Sequence, residues 1–212
     1  MCDRRRLPRR LAASLFLPTL AVIAVAAVSS VRAATASSIS PPPKHVVGAR
    51  IRPSATGELR PGTPVRTTFT GVRVFANRTS GFAITDLRHA GDATYPVATA
   101  DGGRTWRTVG PALHLPAAQA PLVVDQAGVA GPRTWFAWCA ACNTVIDATS
   151  DGGRRWWRVF MPGPVLSVVG GPSARNGVSA IVAGGARGAR VWVYASRDGR
   201  RWTFDHSLSA AG

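Results

Sequence analysis

The sequence predicts an all-β fold built from repeats, and two observations carry the prediction. One short phrase occurs three times: Thr99-Ala-Asp101-Gly102-Gly103-Arg-Thr105-Trp106, Thr149-Ser-Asp151-Gly152-Gly153-Arg-Arg-Trp156 and Ser196-Arg-Asp198-Gly199-Arg-Arg-Trp202. Its aspartates lie 50 and 47 residues apart, a period that marks stacked structural units. The second observation is that no 3.6-residue apolar stripe follows residue 35, whereas short apolar runs alternate with glycine and proline.

Taken in order, each repeat reads as three strands, a turn and a fourth strand. The first strand is expected at Val72 to Phe75, Leu122 to Val124 and Val165 to Val169. The second is centred on Phe82-Ala83-Ile84, Phe136-Ala137-Trp138 and Ser179-Ala180-Ile181. The third spans Tyr95 to Ala100, Val145 to Ser150 and Val191 to Ser196, with Ala98, Ala148 and Ala195 each three residues before the aspartate. Four short strands per repeat make the blade of a β-propeller. The expected fold is therefore a partial β-propeller of about three four-stranded blades, at about 65–115, 116–163 and 164–212.

The repeated phrase has a turn mechanism. An Asp carboxylate accepts hydrogen bonds from backbone N–H groups further on, and Gly103, Gly153 and Gly199 supply the positive φ that a tight hairpin needs. Thr99, Thr149 and Ser196 can brace the same turn, and Trp106, Trp156 and Trp202 then fill space between sheets. One equivalent carboxylate per repeat is architecture; catalysis would need one unusual carboxylate.

The phrase resembles the Asp-box, or bacterial neuraminidase repeat, S/T-x-D-x-G-x-T-W. The first copy fits throughout, the second has Arg155 where Thr is usual, and the third is one residue shorter. The resemblance spans residues 65–212 and implies the propeller fold. It also points to sialidases, which use an arginine cluster, a Tyr–Glu nucleophile pair and an Asp acid/base. This chain has one glutamate, Glu58, and two tyrosines, Tyr95 and Tyr194, while Arg50-Ile-Arg-Pro53 departs from the family's Arg-Ile-Pro by one residue. Asp86, Asp92, Asp125, Asp147 and Asp205 have no distinctive spacing, and His89, His114 and His206 are isolated. No catalytic residue is assigned.

Residues 1–33 read as a signal peptide: Arg4, Arg5, Arg6, Arg9 and Arg10 precede an apolar run from Leu11 to Val28, and Val31-Arg-Ala33 offers a cleavage site. The competing reading is an uncleaved membrane anchor. Residues 34–64, rich in Ser, Pro, Thr and Gly, read as a linker, within which His45 to Ile51 could pair as an edge strand. Cys139 and Cys142 copy the W-C-x-x-C of redox centres, but the sequence leads into a strand rather than a helix, so a structural disulfide is expected. No further Cys or His lies nearby for a zinc site, and neither metal nor cofactor is assigned.

The net charge is +16, and Lys44 is the single lysine. Such an arginine bias is either compositional or an attraction to an acidic cell-wall polymer, polysaccharide or anionic membrane surface; nucleic acid fits an exported protein poorly. The expected function is an exported, non-enzymatic binding or scaffold protein, the alternative being a glycan-binding or sialidase-related glycosidase-like module. Three blades leave closure open among a homodimer completing six blades, a truncated product, and a degenerate blade from residues 45–70; the homodimer is the favoured expectation.

Overall fold

The computed structural model describes residues 40–52, 59–65, 72–87, 93–113, 125–170, 177–184 and 190–209. The proposed signal segment therefore lies outside the described residues, as do Leu122 to Val124, Glu58, Asp92, His89 and His114. Fifteen strands form among the described residues, with no helix. They are β1 (His45–Val47), β2 (Ala49–Ile51), β3 (Pro64–Val65), β4 (Arg73–Phe75), β5 (Gly81–Leu87), β6 (Ala93–Thr99), β7 (Trp106–Thr108) and β8 (Gln126–Gly131). They continue with β9 (Thr134–Trp138), β10 (Val145–Thr149), β11 (Trp156–Phe160), β12 (Val165–Gly170), β13 (Val178–Gly184), β14 (Arg190–Ser196) and β15 (Arg201–Ser209).

The repeats fold into three antiparallel sheets, β4 to β7, β8 to β11 and β12 to β15, each meandering outward from its first strand. Every sheet has five strands rather than the expected four. The fifth comes from the stretch read as a linker: β1 pairs with β15, β2 with β11 and β3 with β7. The described parts of residues 40–65 thus form a strap that crosses the three sheets in reverse order. Its strands are two or three residues long and carry His45, Arg50 and Pro64, which suits an edge, because short, charged or proline-bearing strands cover unpaired backbone groups without inviting aggregation. Gly48 marks the crossing from the third sheet to the second, where an added Cβ would stand 2.9 Å from the Val159 side chain and 3.1 Å from the Arg158 carbonyl oxygen.

The inner strand of the second blade also differs from expectation, running over Gln126–Gly131. Its glycines and alanines carry little β propensity, but packing compensates: an added Cβ at Gly128 would meet the Trp138 ring at 3.1 Å.

Neighbouring blades bury two cores. Phe82 and Ile84 of the first blade meet Trp135, Ala137 and Trp156 of the second. Phe136, Trp138 and Ile146 of the second meet Val168, Tyr194 and Trp202 of the third. Phe82 stacks on Trp135 with ring centroids 5.3 Å apart, and Phe136 meets Trp202 edge-on at 6.3 Å. Each such aromatic contributes about 1.5–3 kcal/mol through burial. Phe82 pairs with Ala98 and Trp135 with Thr149, both just before an Asp turn, so their contact brings the first two turns to the same end of adjacent sheets. Phe136, opposite Ala148, does the same for the third turn by packing on Trp202.

Candidate functional site: the edge formed by the three Asp turns

Each Asp turn is closed by its own side chains. In the first, Thr99 Oγ1 donates to Asp101 Oδ1 at 2.6 Å and accepts from the Gly103 N–H at 3.0 Å. Asp101 Oδ1 accepts from the Thr105 N–H at 2.9 Å, and Oδ2 from the Thr105 hydroxyl at 2.6 Å. The Thr105 hydroxyl, then the Thr105 N–H and the Thr99 hydroxyl, hold the Asp101 carboxyl well below the usual carboxylate range. In the second turn Thr149 repeats the role of Thr99, and Asp151 accepts from the Arg155 N–H at 2.9 Å. In the shorter third turn Ser196 holds the Gly199 N–H, and Asp198 Oδ1 accepts from the backbone N–H groups of Arg200 and Arg201, both at 2.9 Å.

The glycines have the expected backbone: φ is +89° at Gly103, +86° at Gly153 and +71° at Gly199. The tryptophans are buried, and their indole N–H groups find carbonyls. Trp106 donates to Gly103 and Trp202 to Gly199, within their own turns. Trp156 instead reaches the Val109 carbonyl of the preceding blade, so it also ties two blades together.

The turn carboxylates point inward to these donors, and the arginines beside them stand in solvent. Arg104, Arg154, Arg155, Arg197 and Arg201 are exposed within the three turns. The hairpin between β4 and β5 adds Arg78, on a loop where Asn77 Oδ1 accepts from the N–H groups of Thr79 and Ser80. The Gly102 N–H bonds the Thr79 carbonyl, joining that loop to the first Asp turn. The second blade repeats the junction: the Gly152 N–H bonds the Arg133 carbonyl, and Arg133 Nη2 reaches the Asp151 carbonyl at 3.2 Å. Arg52 follows Ile51, which pairs with Trp156, and so lies at the same end. Arg200 differs, with its guanidinium 4.1 Å above the Trp157 ring. Among the described residues no carboxylate forms an ion pair with the exposed turn arginines; Asp147 is paired with Arg158, and Asp205 lies 2.9 Å from His206 Nδ1.

The other sequence candidates are spread across the molecule. Asp147 is fully buried and takes a two-pronged contact from Arg158, both bonds 2.9 Å. Burial pushes its carboxyl up, and the Arg158 hydrogen bonds and charge oppose that rise. Asp125 accepts from the Ala140 N–H at the tip of the β9–β10 hairpin, where Cys139 and Cys142 are joined in a disulfide. The two tyrosines hold the strap: the Tyr95 hydroxyl accepts from the Leu59 N–H, and the Tyr194 hydroxyl donates to the Pro43 carbonyl. Burial raises the Tyr194 hydroxyl above its usual range. Asp205 and His206 are sequence neighbours on the exposed end of β15. Among the described residues no three His, Cys, Asp or Glu side chains gather as a metal site would require.

The arginine edge is not legible in the sequence as one surface. Its signal was present, since an arginine follows the glycines in every copy, but only the packing of the blades shows that the three copies share one end. No known family matches the chain, and no curated protein does. Among solved structures, one described as "YCF48 bound to D1 peptide" aligns with a TM-score of 0.40 and 16% identity, over 74% of this chain and 42% of that one. The chain thus spans less than half the length of that structure.

Proposed function

We propose that the chain is an exported, non-enzymatic binding or scaffold protein that presents one end of its blades to an acidic partner. One observation carries the proposal: each turn carboxylate is bonded to its own turn, while the adjoining guanidinium groups stand in solvent. Backbone-braced turns on packed sheets form a rigid display, as recognition requires. The Cys139–Cys142 disulfide and the basic, then apolar, leading segment support export. The tyrosines of the sialidase-like alternative are engaged with the strap, which favours the binding reading over that one.

The test incubates the purified full chain with an insoluble cell-envelope fraction and, separately, with a panel of fluorogenic glycosides including a sialoside. Retention on the envelope fraction without glycoside turnover is expected. Turnover by the purified protein, or no retention, would overturn the proposal.

A further inference from the structure

We infer that the Asp-turn edge is the binding site for a linear polyanion, a polymer carrying carboxylate or phosphate on its repeating units. This rests on the binding reading above and adds to it the site and the ligand class. The described arginines of the edge form successive rows: Arg78 with Arg104 on the first blade, Arg154 with Arg155 on the second, and Arg197 with Arg201 on the third. Face-to-face sheets lie about 10 Å apart, so the rows repeat at about that interval along the arc.

Three features select a polymer over a small anion. The guanidinium groups are exposed and spread over three sheets, so they offer serial contacts instead of one enclosing pocket. The nearest acids, Asp101, Asp151 and Asp198, already accept hydrogen bonds from their own turns and do not form ion pairs with these arginines. The two ties between neighbouring hairpins, Gly102 to Thr79 and Gly152 to Arg133, hold the backbone beneath the first two rows before any ligand arrives, which lowers the ordering cost of binding. Guanidinium serves both anions because its planar fork bonds carboxylate and phosphate alike with two parallel N–H groups.

The experiment compares the full chain with two variants of equal charge change. The edge variant is Arg104→Ser with Arg154→Ser and Arg197→Ser, one substitution per blade. The control variant is Lys44→Ser with Arg60→Ser and Arg190→Ser, all exposed and away from the turns. Thermal melts establish that each variant is folded, and a variant that fails is replaced by the same positions changed to Gln. Binding is titrated over a range of salt against polygalacturonate, inorganic polyphosphate, neutral dextran, and vesicles of phosphatidylcholine with phosphatidylglycerol.

The expected result is salt-sensitive binding to one or both anionic polymers, with the two separating a uronate from a phosphate source, and none to dextran. The edge variant should bind about tenfold more weakly, from three exposed arginines of modest worth each, while the control stays close to wild type. Its salt slope should also become shallower, by about 0.7–0.9 for each guanidinium withdrawn from the polyanion. Equal weakening of both variants would reduce the effect to net charge and overturn the site. Binding to vesicles but to neither polymer would overturn the polymer. Retention on the cell-envelope fraction that the edge variant leaves unchanged would overturn the edge while the binding reading stands.

Discussion

Asp101, Asp151 and Asp198 occupy equivalent turns but do not contribute equally. Asp101 accepts from a hydroxyl and a backbone N–H of Thr105, whereas the second and third turns have at that place an arginine that offers its backbone N–H alone. Because the Arg155 N–H lies near solvent, water can replace its acceptor, and Asp151→Ala should cost about 1 kcal/mol. Gly153 is the stricter position: its φ is +86°, and an added Cβ would stand within 2.0 Å of the Val109 carbonyl oxygen. Gly153→Ala should therefore cost about 3 kcal/mol or more, comparable with the 3–5 kcal/mol expected for Trp156→Ala. Denaturant titration of the three variants checks the order. Asp101 should make the fold acid-sensitive. Its folded pKa is lowered, so its contribution is complete above the ordinary value of 3.8 and is lost as pH falls toward the folded value. The gap in melting temperature between wild type and Asp101→Asn should narrow as pH is taken from about 6 to about 2. A constant gap would show that the carboxylate charge contributes nothing.

At the scale of elements, the strap is the feature that composition concealed. Its strands have two or three residues each, too few to form alone, and they exist because β7, β11 and β15 offer unpaired edges. Tyr194 anchors one end through the Pro43 carbonyl, and the buried Gly48 lets the chain pass against Val159. Gly48→Val should lift β1 from β15. Lys44, the single lysine, sits just before β1 with its carbonyl bonded to the Phe204 N–H, so cleavage by a lysine-specific protease reports that opening directly. Faster cleavage in Gly48→Val than in wild type is expected, with Tyr194→Phe intermediate because it loses one hydrogen bond of about 1 kcal/mol. At the β9–β10 hairpin, replacing Cys139 and Cys142 by Ala should lower stability by only about 1–2 kcal/mol, since the closed loop is short. A thermal melt of the double variant measures it.

For the molecule as a whole, the two outward faces are handled differently. Phe82 and Phe136 each pack on a turn tryptophan of the next blade, Trp156 and Trp202. Trp106 has no earlier described blade beside it, and Phe75 of its own blade meets it edge-on at 6.1 Å and 70°, against 6.3 Å and 71° for Phe136 on Trp202. Gly81 makes this possible, because a Cβ there would stand 2.7 Å from the Phe75 ring. On the third blade, the position equivalent to Phe82 and Phe136, opposite Ala195, is Ser179. Among the described residues, neither face repeats the aromatic junction that joins the blades internally. The dimeric six-blade closure expected from the repeat count thus gains no support from these faces, and light scattering should give the mass of one copy. A stable dimer at micromolar concentration would show that the apolar face around Ile181 and half-exposed Val169 is paired. Phe75→Ala should cost about 2 kcal/mol, less than a fully buried phenylalanine because its ring is 45% exposed.

The sequence by itself determined the repeat, the all-β character and the chemistry of the Asp turns, because these rest on local rules. A glycine at positive φ, a carboxylate with donors a few residues on, and a two-residue alternation all act within a single hairpin. It also implied the disulfide, whose partners lie three residues apart. The sequence allowed an edge strand at His45 to Ile51, but tertiary structure alone decided that the strap crosses all three sheets, that the inner strand lies at Gln126–Gly131 and that Phe75 stands in for a neighbouring blade. Each depends on partners distant in sequence: Pro43 meets Tyr194 across 151 residues, and Gly128 owes its place to the Trp138 ring. The arginine edge lies between these cases. Its residues are legible beside every turn, but they form one surface only because the aromatic contacts between blades bring the three turns to the same end.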